Sequence, residues 1–269
     1  MHSRCCSRLS TRALRLVSHA AWIALLVLIM GGAQNPPPAA PSTPVRTGQM
    51  DVALRLIADA RQSYQAVQDY TCTFIKRERL GTQVQPEQLI AMKVRTQPFS
   101  VYMRWPRPGP MQGQEVCYVA GRNNGMMRAH STGLLGVVGF ISMDPRDPRA
   151  LETSRHAITE AGIGNLIERY GQAWELENRL NRTQLRIQEY DVGGRRCMRV
   201  ETVHADNANR QIPFYRSIVY FDKQNHLPIR VENYDWPRPG VDPAGALVES
   251  YSYLDLRLNV GLSDAVFTH

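Results

Sequence analysis

Cysteine is sparse. Five occur in 269 residues, too few for the disulfide-dense scaffold that holds very small secreted domains together. Cys5 and Cys6 fall in a stretch read below as removable, which leaves Cys72, Cys117 and Cys197. There is no C-x-x-C, and no histidine stands at metal-ligand spacing from these three, so no zinc site is indicated. An oxidising compartment allows one disulfide and one leftover thiol, with all three pairings open; otherwise all three behave as small buried hydrophobes. Apolar runs of the ~20 residues needed to span a bilayer are missing as well, which excludes a polytopic membrane protein. Catalytic motifs are equally absent: no G-x-S-x-G elbow, no H-E-x-x-H, no phosphate-cradling G-K-[ST], no S-x-x-K. With 43% hydrophobic and 21% charged residues, the chain has ordinary globular composition rather than that of a disordered one.

What is present begins with an address. Arg4, Arg8, Arg12 and Arg15 form a positive start, residues 20–30 are an unbroken apolar run, and Gly31-Gly32-Ala33 supplies small residues. Residues 1–33 therefore read as a signal peptide cleaved after Ala33, with an uncleaved anchor as the alternative. No cysteine stands at the end of the run, so no lipid-anchoring site is expected. The expected location is the periplasm or cell envelope, peripheral to the membrane at most. Removing the four arginines lowers the formal charge from +8 to +4. The remaining arginines are interleaved with acids, which argues against a nucleic-acid partner. Residues 34–48, QNPPPAAPSTPVRTG, are too rich in proline for helix or sheet and read as an extended tether.

Residues 49–269 read as one domain. Ala53, Leu56, Ile57, Ala60, Tyr64 and Val67 recur at helical spacing, which predicts an amphipathic helix over 49–69. Ile163, Leu166, Ile167, Tyr170, Ala173 and Trp174 predict a second helix over 159–180. Between and after them the period is two. Tyr70, Cys72 and Phe74, then Ile90, Met92 and Val94, then Phe99, Val101, Met103 and Trp105 alternate with more polar neighbours. Turn signals at 121–125, 191–194 and 222–226 separate further strands, and 247–258 is a last long one. Short turns between neighbouring strands favour an antiparallel meander. The expected class is α+β: a strongly curved antiparallel sheet, an open half-barrel, with two main helices over its concave face.

Residues 129–143, AHSTGLLGVVGFISM, contain no charged side chain and are broken by three glycines. They read as a buried strand pair or an apolar flap. Asp144-Pro145 and Asp147-Pro148 read as cap-and-proline starts of a helical turn rather than as a catalytic carboxylate pair. Two identical pentads, Trp105–Gly109 and Trp236–Gly240 in W-P-R-P-G, are either stiff strand exits or aromatic lips of one opening. Gly162-Ile163-Gly164 is half of a dinucleotide fingerprint in the wrong place, at a helix start. His204 near Asp206 is a lone candidate base. Asn181-Arg182-Thr183 is a glycosylation sequon that matters only in a eukaryotic secretory route.

Two resemblances follow from particular residues. Val219-Tyr220-Phe221-Asp222, Leu227-Pro228-Ile229-Arg230, Glu249-Ser250-Tyr251 and Asn259-Val260-Gly261-Leu262 through Phe267 resemble the closing hairpins of the LolA/LolB-like lipoprotein-localisation fold. Tyr70-Thr71-Cys72-Thr73-Phe74, Pro98–Tyr102, Gly121–Met127 and Ile158–Gly164 resemble an uncharacterised family of exported bacterial proteins, a domain of unknown function. The first resemblance implies a half-barrel with a hollow able to hold acyl chains, but no activity and no binding residues transfer.

The functional expectation is an exported, non-enzymatic protein that binds or carries a lipid, acyl chain or lipoprotein. It needs no cofactor, no metal and no catalytic residue. The candidate cavity residues are Phe74, Ile90, Met92, Val101, Met103 and Trp105, with Leu134, Leu135, Val137, Val138 and Phe140 from the apolar segment. The alternative is a structural or partner-binding envelope protein with a filled core.

Overall fold

Ala53, Ile57 and Ala60 fall on one stripe and are buried together in helix α1 (Met50–Gln65). In the computed structural model, residues 50–106, 108–109, 111–132, 139–204 and 211–268 are described. The proposed signal peptide and tether lie outside them. The helix ends four residues before the predicted Asp69. That aspartate instead opens strand β1 (Asp69–Leu80), where its carboxylate accepts backbone N–H groups of Val260, Gly261 and Leu262.

The chain continues through β2 (Gln83–Val84), β3 (Gln88–Arg95), β4 (Ser100–Arg104), β5 (Glu115–Val119), β6 (Met127–His130) and β7 (Ile141–Met143). A single turn, α2 (Pro148–Leu151), and helix α3 (Ile163–Leu180) follow. Then come β8 (Thr183–Val192), β9 (Arg195–His204), β10 (Arg216–Asp222), β11 (Pro228–Tyr234) and β12 (Leu247–Leu258). All pairings are antiparallel. The order is β7-β6-β5-β4-β3-β1-β12-β11-β10-β9-β8, with β2 paired to β1. The sheet is open, with β7 and β8 at its ends. The expected α+β class and open antiparallel meander are what forms; the first and last strands meet in its middle.

The two long helices pack on each other and on the sheet. Tyr64 of α1 lies so close to Gly164 that a Cβ there would sit 2.5 Å from its ring. At Gly162 the backbone has φ +98° and a Cβ would meet the Tyr70 hydroxyl at 2.9 Å. Both glycines thus serve close packing at the start of α3, not a nucleotide. The Tyr70 hydroxyl accepts the Ile163 N–H at 2.8 Å. Farther along α3, Tyr170 donates to Asn233 Oδ1 at 2.8 Å, and Trp174 lies 6.0 Å from Phe221. Asn181 ends α3 in a left-handed cap with its N–H bonded to Glu177, a structural role for the asparagine of the sequon.

Candidate ligand-binding cavity

The antiparallel register arranges apolar side chains in rows across β1 and β3–β7. One row runs Tyr70, Val94, Val101; the next runs Cys72, Met92, Met103, Val116, Ala129, Ile141. Phe74 stands opposite Ile90 one step further out. The first row lies under the start of α3, where Gly162 approaches Tyr70 and Val94. Further out, side chains of these strands and of α3 border a cavity of about 620 Å³, within the ~300–1,000 Å³ common for small-molecule sites.

Phe74, Ile90, Met103 and Trp105 line this cavity. Met92 and Val101, from the same strands, are 1% and 0% exposed. Val101 lies in the row under α3 and Met92 beside Met103 in the next; both are packed in the main core and neither is on the cavity wall. Leu134, Leu135, Val137 and Val138 lie outside the described residues. The Phe140 ring lies tilted 5.2 Å from that of His130, which does line the cavity, and its carbonyl accepts from Arg128. The segment read as a buried strand pair or an apolar flap ends in β7 on the sheet's edge, where Ile141 is exposed. Trp105 donates its ring N–H to Gln88 at 3.0 Å. Trp236 packs 5.7 Å from Tyr215 and is not on the cavity wall, so the two pentads do not frame one opening.

The opposite wall is polar, and sequence reasoning missed it. Lys76, Glu78, His156, Glu160, Arg169 and Tyr251 belong to it. Strand β1 does not stop where its sequence turns charged; it continues with Lys76 and Glu78 buried. Glu78 accepts from Tyr251 at 2.5 Å and from the Arg155 backbone at 3.1 Å, and pairs with Lys76 at 3.3 Å. Lys76 also donates to the Thr153 carbonyl at 3.0 Å. Glu249, 1% exposed, holds Arg155 at 3.0 Å, His156 at 2.9 Å and Asn233 at 2.8 Å. His156 reaches Glu160 at 3.2 Å, which also takes Arg169 at 3.2 Å. These bonds tie residues 153–160 down onto β1 and β12 and fix the polar wall before any ligand arrives.

Electrostatics follow from this packing. Burial alone would raise the Glu249 carboxyl, but His156, Asn233 and Arg155 hold it down at about 2. Burial lowers the Lys76 ammonium, with Glu78 opposing. The Tyr251 phenol is driven far up by burial and by the carboxylates of Glu249 and Glu78.

Glu78 and Glu249 also begin a polar row that crosses the other half of the sheet. It continues in register through Asn233, Ser217 and Thr202, all buried. Two residues along β9 from Thr202 lies His204. Its Nε2 stands 3.2 Å from Glu177 of α3, and its Nδ1 lies 2.9 Å from the Phe214 carbonyl. Burial lowers the His204 pKa, but Glu177 and the neighbouring carbonyls raise it further, and the net shift is upward. Its partner is thus a helix residue remote in sequence; Asp206 lies outside the described residues. Asp147 caps α2 through the Arg149 N–H at 2.9 Å, and Asp144 accepts the Arg146 N–H at 2.7 Å, as their prolines indicated. Cys72, Cys117 and Cys197 are free, buried thiols. Burial, their largest influence, pushes Cys117 and Cys197 up to about 11. Among the described residues no cluster of three or more His, Cys, Asp or Glu is arranged to hold a metal, and no helix is long and apolar enough to cross a membrane.

Residues 67–269 match the family model described as "Protein of unknown function (DUF1571)". No curated protein matches the chain. Solved structures similar to it include an uncharacterized conserved protein from Thermus thermophilus (9% identity, 81% of this chain and 93% of that one, TM-score 0.45). The lipoprotein LppX of Mycobacterium tuberculosis is 11% identical over 79% of this chain and 98% of its own, with a TM-score of 0.43. A LolA superfamily protein from Nitrosomonas europaea is 12% identical over 81% and 97%, with a TM-score of 0.32.

Proposed function

The chain belongs to the DUF1571 family, whose function is unknown, so its role has to be read from its own cavity, and we propose that it is an exported, non-enzymatic protein that binds an amphiphilic small molecule there. The observation that carries this reading is a cavity of about 620 Å³ lined both by apolar side chains, chiefly from β3–β7, and by charged ones from β1, residues 149–160 and α3. An acyl or aromatic tail against Ile90, Met103 and Trp105 gains ~0.8 kcal/mol per buried methylene. A polar head is met by groups already held in place. In this reading the sheet is a curved half-barrel, with α1 and α3 closing part of its concave face and leaving the remainder for the ligand. Residues 1–33 direct export and are removed. The carrier then works in the periplasm or envelope, touching a membrane at its surface.

Native mass spectrometry of protein purified without detergent tests the proposal. A retained amphiphile, lost in Met103→Trp while the fold persists, is the expected result. A protein that retains nothing and also leaves the fluorescence of the apolar dye N-phenylnaphthylamine unchanged would overturn it in favour of a filled-core envelope protein.

A further inference from the structure

The polar wall carries a second message, which rests on the ligand-binding reading above. The charged side chains on the cavity wall are Lys76, Arg149 and Arg169 against Glu78, Glu152 and Glu160. Signs balance, and each cation is engaged. Lys76 lies 3.3 Å from Glu78 and donates to the Thr153 carbonyl. Arg169 lies 3.2 Å from Glu160. Arg149 lies 2.7 Å from Asp147, just outside the wall. Behind them Glu249 neutralises Arg155 and approaches His156. A carboxylate or phosphate entering this space finds each cation already beside an acid and comes to stand next to that second negative charge. A lone ammonium meets the mirror problem. A head that is uncharged, or that carries both signs, meets donors and acceptors together and breaks no pair.

We propose that the cavity selects amphiphiles whose head group has no net charge, taking a hydroxyl-bearing or zwitterionic head against the Arg169–Glu160 and Lys76–Glu78 pairs and rejecting a bare anion. Recognition then resides in the pairing of the wall, not in any one residue.

The experiment holds the tail constant and varies the head. Dodecanoate, monododecanoylglycerol, dodecylphosphocholine and dodecyltrimethylammonium are titrated into the full folded protein by calorimetry, each below its micelle concentration and at mildly alkaline pH. The two net-neutral probes are expected to bind about tenfold more tightly than either charged one. Glu160→Gln removes one carboxylate and should shift relative affinity toward dodecanoate; Arg149→Gln should shift it away. Dodecanoate binding as tightly as the neutral probes would overturn the charge-neutral selection while leaving the ligand-binding reading intact. Failure of all four probes to bind would sink both.

Discussion

The two halves of this sheet meet their helices differently. On the side of β8–β11, α3 lies directly over the strands. Tyr170 bonds Asn233, Trp174 meets Phe221 and Glu177 pairs with His204. On the side of β3–β7 the row with Val94 lies at the start of α3, and Ile90, Met103, Val116, Ala129 and Ile141 further out border the cavity. One half buries its side chains against a helix. The other keeps apolar surface in reserve. At the seam between them, β1 and β12 carry Lys76, Glu78, Glu249 and Tyr251, which anchor residues 153–160. The cavity thus lies beside α3, bordered at the seam by this charged network.

This contrast can be broken at the seam with the largest effect. Glu249→Ala leaves Arg155, His156 and Asn233 without their buried partner, and should cost about 3–5 kcal/mol of stability in denaturant unfolding. Loss of less than about 1 kcal/mol would show that the network is not structural. Next, Trp174→Ala in the covered half should cost about 3–5 kcal/mol, whereas Met103→Ala on the cavity wall should fall at or below about 2 kcal/mol, because its side chain already faces open space. Equal costs would mean that the two halves are packed alike.

Acid and alkali should separate the halves further. Glu249 is held at about 2 against an ordinary 4.5, so its contribution is complete above about 4.5 and is lost as pH falls toward about 2. His204 is raised above its ordinary 6.5. Its contribution is therefore complete below about 6.5 and is lost as pH climbs through the raised value. Glu177→Gln should flatten the alkaline limb of a stability–pH curve and leave the acid limb; an unchanged alkaline limb would remove His204 from the account. The smallest effect is expected for Arg61→Ala. Its pairing with Glu168 at 2.9 Å joins α1 to α3 but is solvent-exposed, so less than about 1 kcal/mol should be lost.

The elements were legible where burial is apolar and periodic. Residues 247–258 were read as a strand and form β12. The glycine turn at 193–194 joins β8 and β9 as its pattern indicated. Legibility failed where a strand buries charge. Lys76-Arg77-Glu78 looks like the wet end of β1, yet two of these three side chains are inside, because Glu78 finds Tyr251 and Arg155 far away in the chain. No local pattern announces such partners. The same limit explains Met92 and Val101. Alternation identifies which face a side chain points to, but not how far along that face a helix reaches. His204 stood out by its chemistry, and its partner Glu177 did not, since a glutamate near the end of an amphipathic helix reads as solvated.

The pairing of β1 with β12 has a consequence in time. Each flank of the sheet is a run of hairpins that can zip up as it is synthesised, but its middle joins residues 69–80 to residues 247–258. Until the final strand emerges, both flanks end in a bare central edge, and the carboxylate of Asp69 has no tail to grasp. A chain that emerges from its N-terminus therefore keeps the centre of its sheet open until β12 is made. When that strand pairs with β1, the seam closes and Glu78 and Glu249 come to stand opposite each other.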